Sequence, residues 1–487
     1  MRLTLASLSL WLINTCLTAQ QGTIDNQVIK VDLDTTENRS AFACAHIDNI
    51  DTALIENLSC WIYAKSNNQE YLSIQNGINY NDFHYGLSAT NPQLFNTISM
   101  VSRPQIVDHK YQFNQPNYSA PMGINNWPGS NNQTPVASFV DVDQNSVYEP
   151  SKGDYPFIRG DQCLVSVSHD ELIRSTAFPA LKTSLVQYAF IFPKSGDPVL
   201  DHTVGFRWVL KNQSDRTYDT AKIGVQFHGL LNKLNSNYIG TDVKNNAMFA
   251  YNSNTTKKQY TSVMVLNQAL TNTMYYKNAG QTSNKNDIPL LQEHYVNYMH
   301  SRWKDGDSLK LGSTGLDGDS SISFAFPNTT LNGFSAWSED NVGNQGGDRN
   351  GILVCQFKNW APNEYRVIEG AILFQKDVDS LPELYQRHEM IRNVYNNSDF
   401  SNLSKIPQTH GIKIYPNPAN TNGQIHIKSE QEIALIKIFN TKGALLSKQL
   451  INAKSAHLNQ TNINRQTIFI QVQFEDGTTD SRVLILQ

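Results

Sequence analysis

VGFRWVLKNQSDRTYDTAKIGVQFH, residues 204–228, decides the fold class. Val204, Phe206, Trp208 and Leu210 alternate with Gly205, Arg207 and Val209. Ile223, Val225 and Phe227 alternate with Gly224, Gln226 and His228. A period of two sends successive side chains to opposite faces of an extended chain, so each run reads as a half-buried strand. Asn212 to Arg216 is polar and turns the chain between them.

The same signal spreads outward in both directions. Leu185 to Phe192 is an apolar-aromatic run broken only by Gln187, which suits a strand covered on both faces. Trp61 to Ala64, Tyr71 to Ile74, Ile322 to Phe326 and Ile352 to Cys355 are short, aromatic or β-branched runs. Asn76-Gly77 marks a tight turn, and Asp305-Gly306 and Asp317-Gly318 mark loops. One helix is expected. Ser380 and Glu383 form a capping box with Pro382 in the first turn, and Leu381, Leu384, Tyr385, His388, Ile391 and Val394 share a face. The expected class is all-β: a large sandwich-type body over 20–397, as one piece or two packed subdomains.

Residues 398–411 are polar and read as a linker. Residues 412–487 read as a separate small sandwich. Ile412 to Tyr415 runs into Pro416-Asn417-Pro418, where two missing donors and two fixed φ angles end the strand. Strands follow at 424–428, 434–439, 444–449, 468–474 and 482–486. Hairpin turns are expected at Asn440 to Gly443 and at Glu475-Asp476-Gly477.

At 487 residues the chain exceeds one core. Charged residues are only 17% of it and the net charge is −4, so the surface is largely uncharged polar and lacks the basic stripe that nucleic acid or anionic lipid would require. Residues 1–19 read as a secretory signal peptide: Arg2, the apolar run Leu3 to Leu12, and Ala19 before the cut. The mature chain is then expected to be exported without membrane insertion. Four cysteines remain, Cys44, Cys60, Cys163 and Cys355. None has C-x-x-C spacing, so zinc is not expected, and both buried thiols and a local Cys44–Cys60 bridge fit.

One loop carries candidate metal chemistry. In Asp141 to Gln162, DVDQNSVYEPSKGDYPFIRGDQ, side-chain oxygens recur at Asp141, Asp143 and Asn145. These match positions 1, 3 and 5 of a calcium loop, and the Val147 carbonyl matches position 7. Ser146 replaces the glycine of an EF-hand and Lys152 its closing glutamate, so this is not an EF-hand. Asp154 could close the site instead. The cofactor expected is calcium, and the plain alternative is an Asx-turn loop that caps its own backbone.

Enzyme motifs are weak. His388-Glu389 lacks the second histidine of H-E-x-x-H, since Arg392 stands there. His294 and His300 lack ligand spacing. His169-Asp170-Glu171 reads as a solvated loop, and no nucleophile elbow, Walker loop or dinucleotide fingerprint is present. Trp127, Tyr155, Trp303 and Trp337 could stack on sugar rings, but in an all-β chain they fit loop anchors better.

The tail resembles the type A C-terminal sorting domain of the type IX secretion system of Bacteroidota. The resemblance rests on Tyr415 to Pro418, on Ile436 to Asn440 with Gly443, and on the terminal strands flanking Asp476-Gly477. Gln466-Thr467 and Phe469 stand where that family tends to have glycine and tyrosine, and Ser481-Arg482 replaces its usual lysine. The resemblance implies an immunoglobulin-like sandwich that engages the type IX machinery through 412–487 and delivers cargo outside the cell or to its surface. The body, roughly 45–375, resembles a functionally undefined segment of large secreted proteins of the same bacteria. The matching residues are Ile124 to Gly129, Asp141 to Gln162, Tyr238 to Asp242 with Tyr251-Asn252, Trp303 to Gly306, Trp337 to Glu339 and Gly347 to Arg349. The function expected is an extracellular or cell-surface interaction protein, in adhesion or polymer binding. The alternative is a secreted hydrolase of polysaccharide or protein.

Overall fold

In the computed structural model the described residues are 21–34, 42–46, 53–90, 94–132, 134–171, 177–197, 199–231, 236–252, 258–280, 284–327, 337–397, 412–420, 423–440, 445–459, 467–474 and 479–486. The expected signal segment 1–19, the expected linker 398–411 and the two expected tail turns at 441–443 and 475–477 lie outside them. The fold is all-β and sandwich-like. The chain divides into two compact units, 1–100 with 160–389, and 101–159 with 390–487.

In the first unit one antiparallel sheet runs Gln21–Asp25, Ile29–Asp34, Phe42–His46, Ala53–Ser66, Tyr218–Gly229, Arg349–Trp360, Leu270–Lys277, with Gln69–Ile74 also on Ala53–Ser66. A second runs Asn237–Asp242, Ala247–Asn252, Lys258–Val265, Tyr365–Val378, Thr203–Asn212, Thr183–Ile191, Gln162–His169, His84–Tyr85. Their inner faces share one core that contains Phe206 and Trp208 from the second sheet and Ile223, Val225 and Phe227 from the first.

The two strands read from 204–228 do form, but they do not pair with each other. Thr203–Asn212 belongs to the second sheet and Tyr218–Gly229 to the first, so the polar turn is an arch between layers. A second arch, from Trp360 to Tyr365, returns the chain to the second sheet and stacks on the first. Thr203–Asn212 pairs with Tyr365–Val378, and Tyr218–Gly229 pairs with Arg349–Trp360. Asn212 pins both arches. Its Nδ2 donates to the carbonyls of Arg216 at 2.9 Å and Trp360 at 3.0 Å. Its Oδ1 accepts from the Ser214 N–H and hydroxyl at 3.0 and 2.7 Å. Its backbone N–H donates to Glu364 at 3.0 Å and its carbonyl accepts from Asn363 at 2.8 Å.

The expected half-burial of these strands is corrected. Arg207, Val209, Gln226 and His228 are buried as well. On the first sheet, Trp61 is covered by Tyr276 and by Tyr295 of helix Gln292–Tyr298. On the second, the start of helix Leu381–Asn397 packs Leu384 against Phe249, Tyr251 and Tyr260. Ser380 Oγ accepts the Glu383 N–H at 3.4 Å, one half of the expected capping box, while the Glu383 carboxylate accepts from Asp379 N–H at 3.0 Å instead of Ser380, and the buried face ends on Tyr395 rather than Val394. Thr183–Ile191 is buried at every position, its polar residues Thr183, Ser184 and Gln187 included. Three glycines sit beneath aromatic rings of directly paired residues: Gly205 under Phe190, Gly370 under Phe206, Gly351 under Phe227. A Cβ at Gly205 would stand 2.1 Å from the Phe190 ring, so the close approach requires glycine.

The four thiols of Cys44, Cys60, Cys163 and Cys355 are buried and unbridged. Burial pushes Cys355 up to about 12, so it behaves as a small apolar side chain.

In the second unit, helix Arg103–Gln112 opens on a capping box between Ser102 and Gln105. It was not expected, because only Ile106 and His109 are buried and the apolar period is faint. Two short ladders follow, Ser130–Asn131 with Thr134–Pro135 and Phe139–Val140 with Tyr155–Pro156. The C-terminal part is one five-stranded antiparallel sheet around Gln424–Asn440. The expected strands 424–428 and 434–439 are a single strand. It keeps its partners by register shifts between Lys428 and Leu435 rather than by a turn. Ile425, Ile427, Ile433, Ile436, Ile438, Ile468, Ile470 and Val472 form its core.

Arg207 and Glu369 form a paired, hydrogen-bonded ion pair at 3.0 Å, exposed by 3% and 1%. Glu369→Ala strands a buried guanidinium and is expected to cost about 3–5 kcal/mol in urea unfolding, whereas Arg207→Met with Glu369→Leu recovers most of it. A single variant as stable as the parent would contradict the pairing.

Candidate functional site

The acidic loop lies between Val140 and Tyr155, the residues that close its short ladder. Two left-handed residues, Gln144 at φ 60° and Ser146 at φ 64°, curl the chain so that its amides point inward. Asp141 accepts from the N–H groups of Asn145 at 3.2 Å and Ser146 at 2.7 Å. Asp154, fully buried, accepts from Val142 and Glu149, both at 2.8 Å. The His109 ring holds the Asp154 carbonyl at 3.0 Å, and Gly153 passes against the Phe113 ring.

Asp141, Asp143 and Asp154 each place a carboxylate oxygen within 4.8 Å of the others. Burial pushes the Asp154 carboxyl up, the two N–H donors pull it back, and repulsion from Asp141 and Asp143 raises it further. Each carboxylate oxygen keeps a second lone-pair direction after its N–H bond, so the three can offer oxygen ligands to a hard cation.

The other two expected ligands are Asn145 and the Val147 carbonyl. Asn145 Oδ1 accepts the Val147 N–H at 2.6 Å, while its Nδ2 donates to Asp143 at 3.0 Å and Glu149 at 2.8 Å. Asn145 thus braces the loop, and its Oδ1 keeps a second lone-pair direction, as the carboxylate oxygens do. Lys152 and Glu149 add a part that spacing did not reveal. The Lys152 ammonium bonds Glu149 at 2.6 Å and stands 3.8 Å from Asp143. The loop holds one ammonium and the four carboxylates of Asp141, Asp143, Glu149 and Asp154, so an excess of negative charge remains there.

Other expected candidates resolve into braces. The Asp170 side chain is fully buried, not solvated. It accepts from the Ser73 hydroxyl and the Thr183 N–H, and from Leu181 N–H at 3.2 Å, tying the edge of one sheet to the other. Trp127, Trp303 and Trp337 are buried and donate to the carbonyls of Ser138, Gly315 and Ser313. Tyr155 is half-buried beneath Lys110. His294 accepts the Leu290 N–H at 3.1 Å, and His300 bonds the Val296 carbonyl at 2.8 Å.

A constellation that no spacing announced lies under helix Leu381–Asn397. His388 Nδ1 meets Asp242 Oδ2 at 2.9 Å, and Nε2 meets Ser262 Oγ at 2.9 Å. Burial pushes the Asp242 carboxyl up, yet the bonds from His388 and Asn245 outweigh it and hold it below its ordinary value. The connectivity is that of a Ser-His-Asp relay. All three residues are at most 1% exposed. The base rides on the covering helix, so lifting that cover would remove the base from the serine. The relay pins helix to sheet.

A second cluster joins four segments of the first sheet. His228 bonds Glu56 at 2.5 Å and Asp348, which also accepts from Asn278 at 2.9 Å. Burial alone would push this imidazole down, but the two carboxylates outweigh it and hold it at about 9.

Residues 407–486 match the family described as a domain of unknown function, DUF8694. No curated protein matches the chain. Among solved structures it is similar to a polysaccharide lyase at 6% identity and a TM-score of 0.27, covering 96% of this chain and 46% of that one. It is also similar to a protein described as a kojibiose phosphorylase from the human microbiome, at 8% identity and 0.28, covering 78% and 34%. A third is PorZ, a surface component of the type IX secretion system of Porphyromonas gingivalis, at 9% and 0.15, covering 96% and 75%. The chain spans less than half the length of the first two, and at these TM-scores the likeness carries no argument about function.

Two predictions follow from the site. Melting with calcium and then with excess chelator is expected to differ by roughly 2–4 °C, and Asp154→Asn is expected to erase the difference. Equal midpoints in the parent protein would exclude a structural cation. For His228, the raised folded pKa contributes stability that is whole below 6.5, fades above it, and is gone once pH passes about 9. Urea midpoints should therefore fall more steeply between about pH 7 and 9.5 in the parent than in His228→Gln. Parallel slopes would refute the clamp.

Proposed function

We propose that this chain is an exported protein that works by contact: a secreted or cell-surface interaction protein, in adhesion or polymer binding, whose acidic loop is ordered by calcium. The observation that carries this reading is what segment 103–159 displays. Val107, Tyr111, Met122 and Val142 are exposed by 52, 78, 77 and 49%, in the same segment as the three-carboxylate loop. Large apolar side chains left in solvent suit recognition, and loop segments are where recognition is built. By contrast, the body's Ser262, His388 and Asp242 are sealed from solvent.

Delivery belongs to the same reading. Residues 412–487 carry the sorting-domain resemblance, and the body is the cargo. Engagement of the type IX machinery through this tail, with release outside the cell or retention at its surface, supplies the partner.

Two variants in the producing bacterium test both halves. Deletion of residues 412–487 is expected to leave the body inside the cell envelope. Tyr111→Ser with Met122→Ser is expected to be exported normally, to melt with the parent, and to lose co-sedimentation with insoluble polysaccharides or host-matrix proteins. Unaffected export would overturn the address, and undiminished co-sedimentation would overturn the contact surface.

A further inference from the structure

Strand Leu445–Asn459 forms one side of the C-terminal sheet. It pairs along its length with Gln424–Asn440, and its other edge has no partner strand among the described residues. Residues 445–450 are exposed at six consecutive positions, so neither face of this half is covered. Leu445, Leu446 and Leu450 are exposed by 53, 39 and 75%. Leu446 is the extra residue of a bulge, since Phe439 faces Leu445 and Ile438 faces Ser447.

Register places three rows on the outer face. Leu445 lies beside Phe439 and then Phe469, itself 41% exposed. Lys448 lies beside Lys437 and then Gln471. Leu450 lies beside Leu435 and then Gln473. The middle row sets two lysines directly opposite each other in the ladder with no acidic residue in the row. Like charges so placed are destabilising. The strand itself carries Lys448 and Lys454 and no acidic residue.

We propose that this free edge takes an added strand from a partner polypeptide: an extended segment with a carboxylate opposite Lys448, an apolar side chain against Leu450 two residues on, and another against Leu445 beyond the bulge at Leu446. Backbone hydrogen bonds to the open edge supply the register-independent attraction, and the three rows supply selection. The carboxylate relieves the Lys437–Lys448 opposition, which an apolar or basic segment cannot do. A second copy of this chain is the poorer occupant. It would bring an identical strand with two lysines and no acid to the same edge. If nothing binds, the lysines serve only to guard an edge against aggregation.

The test uses the full-length chain and a fluorescein-labelled peptide, Thr-Val-Thr-Glu-Thr-Val-Thr, read by anisotropy. The acidic peptide is expected to bind in a salt-sensitive manner. Replacing its Glu by Lys, or its central Thr residues by Pro, is expected to weaken binding about tenfold or more. Lys448→Glu reverses the charge preference and restores binding of the Lys peptide. Absence of binding, a charge preference that Lys448→Glu leaves unchanged, or self-association of the chain that Leu450→Glu abolishes would each overturn the proposal.

Discussion

Asn212 holds the corner at which the chain passes from one sheet to the other and, through Trp360 and Glu364, holds the return passage as well. A polar side chain at the seam of two apolar layers is costly unless every donor and acceptor is used, and here the amide and the backbone are both used. The two arches stack, so the register of Thr203–Asn212 on Tyr365–Val378 and that of Tyr218–Gly229 on Arg349–Trp360 are fixed together. A slip of one residue in either ladder would turn Phe206, Trp208, Ile223 and Val225 out of the common core. The layers that cover both sheets, and the segments that leave them, depend on that frame.

Polar chemistry inside the body follows the same logic. Arg207 with Glu369, Arg349 with Glu339, and Asp170 with the hydroxyl and amides around it each join separate segments in places where water is excluded. The Ser262–His388–Asp242 relay shows how a connectivity associated with catalysis can serve as a clasp. The second unit differs in kind: its helix Arg103–Gln112 buries two residues and leaves aromatic and aliphatic side chains in solvent.

The strand alternation of 204–210 and 223–228 was visible in the sequence because period two is local. Burial of the outward positions was not, because Tyr276, Tyr295 and the helix that begins at Leu381 arrive from distant parts of the chain. Asp141, Asp143 and Asp154 could be grouped in advance because a tight loop brings near neighbours together. The turning of the Asn145 oxygen onto Val147, and the ammonium of Lys152 at the rim, depend on χ angles that spacing does not encode. The relay was out of reach: 146 residues separate Asp242 from His388, and His388-Glu389 reads locally as a failed zinc motif. In the tail, Gln424–Asn440 looked like two strands because its bulges shift the alternation, which mimics a turn in one dimension.

Native-state hydrogen exchange followed by mass spectrometry tests the corner most directly. If Asn212 locks both layers, the amides of Asn212 and Asn363 exchange only with global unfolding, in the same slow class as Val225 and Trp208. Fast exchange at 212 and 363 while the strands on either side stay protected would mean that the arches open on their own, and that the sheets are held together by their apolar faces without this corner.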